Sequence, residues 1–430
     1  MSDYATFLAR KQRLWAGTPI APAALPSPLF DWQAAITRWA MRKGRAAIFA
    51  DCGLGKSFMQ VAWAQTVPGR VLILAPLSVG EQTVGEAAKL GIGAVYARGQ
   101  AGGDGSRIVV TNYERLDNFD VSQFAGVVLD ESSILKAFDG KTRTKLITTF
   151  SNTPYRLCCT ATPSPNDIAE LANHAEFLGV QTRQEFLATW FVHDDQGWRM
   201  KRHARAAFFR WLASWAVAFR KPSDLGYSDD GFVLPPLTIR DYLIESGATP
   251  GVLFPELGAR GLKGRLAARR GSLVARVDAM HNIVDEWGAS WLVWCGLNEE
   301  ADALAKALPG SVNVQGKDDY AVKQRAVARF ISGETKTLIS KLRVLGFGMN
   351  FQHCARMVFC GIGDSYEQYY QGIRRCWRFG QTRPVEATIV VSEAERVIVE
   401  NVRRKEARAD AMAAELLAAM RDFEREELSA

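Results

Sequence analysis

The sequence predicts an α/β protein built from two parallel-sheet domains in tandem. Short apolar runs rich in β-branched residues alternate with helix-length segments, the pattern of buried parallel strands joined by helices. These runs fall into two series, divided by a basic and aromatic stretch. A length of 430 residues independently favours about two to three domains.

Residues 1–28 end in a Pro/Ala-rich stretch from Pro19 to Pro28 and read as an N-terminal arm. Domain 1 is expected over 29–235, with strands at Ala46–Ala50, Val71–Ala75, Ile108–Thr111, Val127–Asp130 and Tyr155–Thr160. A helical protrusion is expected from about 164 to 225. There Phe208, Trp211, Leu212, Trp215 and Phe219 recur at helical spacing, and no acidic residue occurs from 201 to 221. Its aromatics suit either a core or a base-stacking surface. Leu234-Pro235-Pro236 reads as a hinge, because consecutive prolines continue neither a helix nor a central strand.

Domain 2 is expected over 236–392, opening with a helical and basic segment at about 250–288 that includes the run from Arg260 to Arg276. Its strands are expected at Trp291–Cys295, Ser311–Gln315, Thr337–Ser340, Met357–Cys360 and Ala387–Val391. Residues 393–430 read as an amphipathic helix with Ile398, Val402, Met412, Leu416, Met420 and Phe423 on one side. That face suits packing on domain 2 or docking of a partner.

Composition is ordinary for a globular chain, at 48% hydrophobic and 23% charged residues. A formal charge of +7 favours an anionic partner such as nucleic acid. The seven cysteines contain no C-x-x-C pair and mostly lie in apolar runs, as small core residues do, so neither a disulfide framework nor a zinc site is indicated. No signal-peptide pattern is present and no apolar run reaches the roughly 18 residues of a membrane span, so a cytoplasmic location is expected.

Chemistry is concentrated in three places. Gly53-Leu54-Gly55-Lys56-Ser57 follows an expected strand and opens an expected helix, where loop amides cradle phosphate, Lys56 reaches the terminal phosphate oxygens and Ser57 ligates magnesium. Ala50 stands where the strict pattern has glycine, but Gly53 and Gly55 retain the backbone freedom. Asp130 and Glu131 end an apolar strand, where ligands of open α/β sheets bind; Asp130 suits a magnesium ligand and Glu131 a group that orients or deprotonates water. Taken alone, the acid pair equally suits a helix cap. Gln371, Arg375 and Arg378 fall at i, i+4 and i+7, one face of a helix, from which two guanidiniums suit a clamp on the γ-phosphate. Taken alone, they suit a solvated basic helix.

In this order, these segments resemble superfamily 2 helicase-type ATPases, and within them the Swi/Snf-like double-stranded-DNA translocase branch in the compact form of bacterial and phage members. The resemblance runs from about Leu29 to Glu406. It implies two RecA-like domains that bind ATP and Mg2+ between them, with Lys56, Asp130, Glu131, Arg375 and Arg378 catalytic. Gln33, Gly53, Gly55, Lys56, Ser57, Gly346 and Gln371 would contact nucleotide, and Ser57 and Asp130 the metal.

Leu74 to Val79 resembles motif Ia, Thr111 to Glu114 the next segment along the nucleic-acid path, and Gly346 to Asn350 motif V. Pro76, Ser78, Thr111, Tyr113, Gly348 and Asn350 would therefore contact nucleic acid, with Arg205, Arg220 and Lys221 as further basic contacts. Thr160-Ala161-Thr162-Pro163 resembles motif III, so Ser133, Thr160 and Thr162 would couple nucleotide state to grip. Gln371 to Val385 is the segment most similar to the branch. In departures from its pattern, Ser133 and Trp377 replace histidines, Leu345 replaces a glycine, and Asp364-Ser365-Tyr366 occupies the place of a Trp-Asn-Pro. Double-stranded DNA is the expected partner, with single-stranded DNA or RNA as alternatives. The expected activity is translocation; strand separation and ATP-gated binding are the competing readings.

Overall fold

The computed structural model describes residues 14–77, 79–136, 140–164, 167–195, 197–244, 269–285, 289–346 and 349–429. Ser78, Gly348, residues 1–13 of the arm, and residues 250–268 and 286–288 of the expected basic segment lie outside the described residues. The chain divides into two compact units, one formed by 1–230 with 408–430 and the other by 231–407.

In the first unit the strands are β1 (Arg45–Ala50), β2 (Val71–Ala75), β3 (Val95–Tyr96), β4 (Ile108–Asn112), β5 (Gly126–Asp130), β6 (Tyr155–Thr160) and β9 (Ala216–Phe219). They form one seven-stranded sheet in the order β3-β4-β2-β5-β6-β1-β9, parallel at every pairing. β2, β4 and β5 are buried along their whole length, as expected of strands covered on both faces. A small antiparallel pair, β7 (Phe191–Asp194) with β8 (Gly197–Met200), stands apart from this sheet.

The second unit has β10 (Leu237–Ile244), β11 (Trp291–Cys295), β12 (Val312–Val314), β13 (Thr337–Lys341), β14 (Arg356–Cys360) and β15 (Val385–Ser392). These form a six-stranded parallel sheet, ordered β10-β15-β14-β11-β13-β12. The expected α/β class with two tandem parallel-sheet domains is therefore the observed one.

Two local expectations are corrected. The helical spacing across 208–219 covers a helix only at Arg205–Ala213; Ala216–Phe219 is instead strand β9, fully buried beside β1. A short strand buried on both faces gives an unbroken apolar run, which helical spacing fits by chance. Of the aromatics, Phe208, Trp211, Trp215 and Phe219 are core.

Of the expected hinge Leu234-Pro235-Pro236, Pro236 is tied into the sheet of the second unit. The Pro236 carbonyl accepts from the Val385 amide at 2.9 Å, and β10 starts at the next residue. The second correction concerns the arginine helix: it ends at Ile373, so Gln371 is helical whereas Arg375 and Arg378 lie in the turns beyond. There the Arg375 and Cys376 amides bond three residues back, at 3.3 and 3.2 Å, a tightened final turn.

The C-terminal helix runs from Arg396 to Ser429. Leu416 and Met420 belong to the core of the first unit, and Phe423 packs against it. The part of this helix from 408 onward thus packs its apolar face into the core of its own unit. Charged pairs reinforce it: Arg205–Glu415 at 2.6 Å, Arg220–Asp410 at 2.7 Å and Lys43–Glu427 at 2.6 Å. Among the described residues no helix is long and apolar enough to cross a membrane. All seven cysteines are buried and unbridged.

Candidate nucleotide and nucleic-acid site

β1 delivers the phosphate loop, and the helix Lys56–Thr66 follows it. Gly53 and Gly55 have φ of +87° and +71°, a region that disfavours side chains. At Gly55 space is also decisive, because a Cβ there would lie 2.4 Å from the Gln33 amide nitrogen. Gln33 is buried and ties the loop to the preceding helix: its amide donates to the Leu54 carbonyl at 3.2 Å and its oxygen accepts from the Phe30 amide at 3.1 Å. Lys56 donates to the Ala50 and Asp51 carbonyls at 2.8 and 3.1 Å, so the ammonium lies over the loop. Ser57 opens the helix beside it. A helix N-terminus of this form binds anions through its amides and dipole.

β5 delivers Asp130 and Glu131. Asp130 is buried, and burial pushes its carboxyl up to about 6, Glu131 adding to the rise while the Gln60 hydrogen bond and Lys56 oppose it. Gln60 donates to Asp130 at 2.8 Å. Sequence reading missed Gln60, yet it lies one helical turn after Lys56 on the same face, a signal that periodicity contains. A divalent cation reverses the electrostatics that raise such a carboxyl. Asp130, bonded to the helix that follows the phosphate loop, therefore has the chemistry of a divalent-cation ligand.

Glu131 has φ of +60°, the single positive-φ residue other than glycine among the described residues. Its carboxylate accepts from the Thr160 hydroxyl at 2.5 Å and from the Ser133 hydroxyl at 3.1 Å. The Thr160 hydroxyl oxygen in turn accepts from the Thr162 amide at 3.0 Å. The structure thus brings Ser133, Thr160 and Thr162 together around Glu131.

The expected nucleic-acid residues of this unit have varied settings. Pro76 is half-buried, and its carbonyl accepts from Asn112 at 3.0 Å. Thr111 is fully buried with its hydroxyl donating to the Ala97 carbonyl, so its side chain links strand to loop instead of facing outward. Tyr113 donates to the Asp130 carbonyl at 2.7 Å, and burial raises its phenol well above the ordinary range. Arg205 and Arg220 form the ion pairs with the C-terminal helix described above, and Lys221 lies 3.4 Å from Asp229.

In the second unit Gly346 follows the short helix Leu342–Leu345, and a Cβ there would lie 2.1 Å from the Leu342 carbonyl oxygen. Asn350 accepts from the Gln352 amide at 3.2 Å. Arg375 is buried: one guanidinium nitrogen donates to the Gln371 side chain at 2.6 Å and another to the Met349 carbonyl at 3.0 Å. Arg378 donates to the same Met349 carbonyl at 3.1 Å. The two arginines therefore converge on the carbonyl of the residue before Asn350, with Gln371 bonded to Arg375, although not as one helical face.

Residues 276–380, a minority of the chain that includes Gly346, Asn350, Gln371, Arg375 and Arg378, match the helicase conserved C-terminal domain. Among solved structures the chain is similar to S. cerevisiae Dbp5 bound to RNA and ADP BeF3, with 11% identity, a TM-score of 0.56, and coverage of 91% of this chain and 93% of that one. At that identity the likeness is one of fold. No curated protein matches the chain. The class is nevertheless defined to this extent: a tandem RecA-like fold whose residues 276–380 match the helicase conserved C-terminal domain.

Proposed function

We propose that this chain is a nucleic-acid-dependent ATPase that moves along double-stranded DNA without reading its sequence. The observation that carries the hydrolytic part is the Glu131 arrangement. A carboxylate next to a buried Asp130 is fixed by Thr160 and Ser133, on the same strand-end surface as a glycine-shaped phosphate loop. Gln33, Gly53, Gly55, Lys56 and Ser57 would hold ATP, with Gly346 and Gln371 contributing from the second unit. Asp130 and Ser57 would hold Mg2+, which when bound neutralises phosphate charge. Glu131 orients water and accepts its proton, and Arg375 and Arg378 stabilise charge on the transferred phosphoryl group.

The DNA assignment is supported by the resemblance of Gln371 to Val385 to the Swi/Snf-like branch, together with the net basic charge. Pro76, Ser78, Tyr113, Gly348 and Asn350 are the proposed backbone contacts, with Arg205, Arg220 and Lys221 beside them. Phosphate contacts of this kind position without specifying sequence. A second reading, action on RNA or separation of strands, has one observation in its favour: the similar solved structure, Dbp5, is bound to RNA.

The test is steady-state ATP hydrolysis by the full chain, beside Lys56→Ala and Arg375→Ala. Turnover lost in both variants supports the motor. Turnover that survives Lys56→Ala, or is absent under every condition, overturns it in favour of an ATP-gated binding protein.

A further inference from the structure

The left-handed backbone at Glu131 requires something to hold it, since a side chain in that region is strained and persists only where its surroundings fix it. The chain after Glu131 forms a short 3-10 turn, Ser132–Lys136. Two adjacent, fully buried polar residues of the helix Leu171–Leu178 hold that turn at its two ends. His174 shares a 3.1 Å hydrogen bond with the Ser132 hydroxyl at the start. Asn173 donates to the Leu135 carbonyl at 2.8 Å and the Lys136 carbonyl at 3.3 Å at the finish. Arg143 donates to the Asn173 oxygen at 3.2 Å and so fixes which way that amide faces.

His174 is also placed against the strand that leads into the phosphate loop. Its ring meets Phe49 of β1 edge-on, with centroids 5.3 Å apart and planes at 80°. Burial lowers the imidazole to about 3, so it stays neutral and keeps one nitrogen donor and one acceptor across the working range. An apolar residue would fill this site without burying polar nitrogens. What the imidazole adds is its grip on Ser132.

We propose that His174 and Asn173 are positioning residues for hydrolysis, which clamp the Ser132–Lys136 turn and thereby fix Glu131 in its strained, water-facing conformation. This rests on the function proposed above. It assigns the helix Leu171–Leu178 a part in the chemistry without contact with substrate. The clamp acts on the chemical step and not on nucleotide binding, because neither residue reaches the phosphate loop's amides.

The experiment compares wild type with His174→Leu, His174→Gln, Ser132→Ala and the Ser132→Ala/His174→Leu double variant in the full chain. kcat and KM for ATP, affinity for a fluorescent non-hydrolysable ATP analogue, and amide exchange over residues 131–136 are measured on each. His174→Leu is expected to lower kcat about tenfold or more, with analogue affinity unchanged and faster exchange in the turn. His174→Gln, which keeps a nitrogen near the Nε2 position, should recover part of the rate. The double variant should lose no more than the worse single one, since both remove the same bond. Unchanged kcat and exchange in folded His174→Leu would overturn the proposal, as would losses that multiply in the double variant. If wild type shows no Lys56-dependent turnover, the functional reading fails, while the exchange comparison still decides the clamp.

Discussion

The Trp377 indole nitrogen donates to the Pro235 carbonyl at 2.7 Å. Two residues further on, Phe379 stacks on Phe232 with centroids 4.6 Å apart. Between these contacts lies Arg378, and two residues before Trp377 lies Arg375. The start of the second unit is therefore fastened to the turn that carries both arginines. Trp377 occupies the place of the histidine expected from the resemblance, and an indole offers both the stacking surface and the donor. Its face also lies 4.8 Å from the Arg374 guanidinium.

Removal of that donor is expected to loosen the arginine turn. Trp377→Phe should cost about 1 kcal/mol in stability, the scale of one hydrogen bond, and lower kcat with little change in KM. Thermal unfolding and steady-state kinetics check this. A rise in KM with unchanged kcat would point to a role in nucleotide binding instead.

The hydroxyl of Thr160 joins Glu131 to the segment that follows β6. Thr160→Val removes the hydroxyl at nearly constant shape, and Thr160→Ser restores it. The valine variant is expected to retain ATP-analogue affinity but lose most of the stimulation of hydrolysis by nucleic acid, which serine should return. Hydrolysis rates with and without nucleic acid measure that ratio directly.

Glu424 lies on the C-terminal helix, is buried, and accepts from the Ala218 amide of edge strand β9 at 2.6 Å. Burial raises its carboxyl to about 8; Asp224 adds to this and the Ala218 hydrogen bond opposes it. The folded chain thus binds a proton that the unfolded chain releases nearer the ordinary carboxyl range, so stability falls as pH rises through that window and up to about 8. Glu424→Gln keeps the shape without the ionisation. Its melting temperature should fall less than that of wild type between about pH 6 and about pH 8.5. Parallel pH curves for the two proteins would contradict the assignment.

Asp410 and Glu415 of the same helix pair with Arg220 and Arg205 at exposed positions. Exposed pairs contribute about 0–1 kcal/mol each, so Asp410→Asn with Glu415→Gln should alter stability only slightly. The same change releases two of the proposed phosphate contacts, and nucleic-acid affinity at low salt should rise with a steeper salt dependence. Equilibrium binding across a salt series reads both quantities.

The strands were legible because each is a short apolar run bounded by a change of periodicity, and ten of them fall where the sequence expects. β9 was not, since Ala216–Phe219 continues a helical aromatic spacing and becomes a strand only by pairing with β1, far away in sequence. The phosphate loop and acid pair are local patterns, so their residues could be named directly. Asn173 and His174 could not, because their partners at 132–136 are some 40 residues away and no local pattern marks a buried amide or imidazole as a clamp. Sequence spacing puts Arg375 and Arg378 on one helical face, whereas their convergence comes from a common acceptor, Met349.

Translocation on duplex DNA is tested most directly by ATP hydrolysis of the full chain with no nucleic acid, single-stranded DNA, duplex DNA and RNA, beside Lys56→Ala and Arg375→Ala. Strong stimulation by duplex DNA, abolished by both substitutions, is the expected result. Stimulation by RNA or single strands with none by duplex DNA would contradict it.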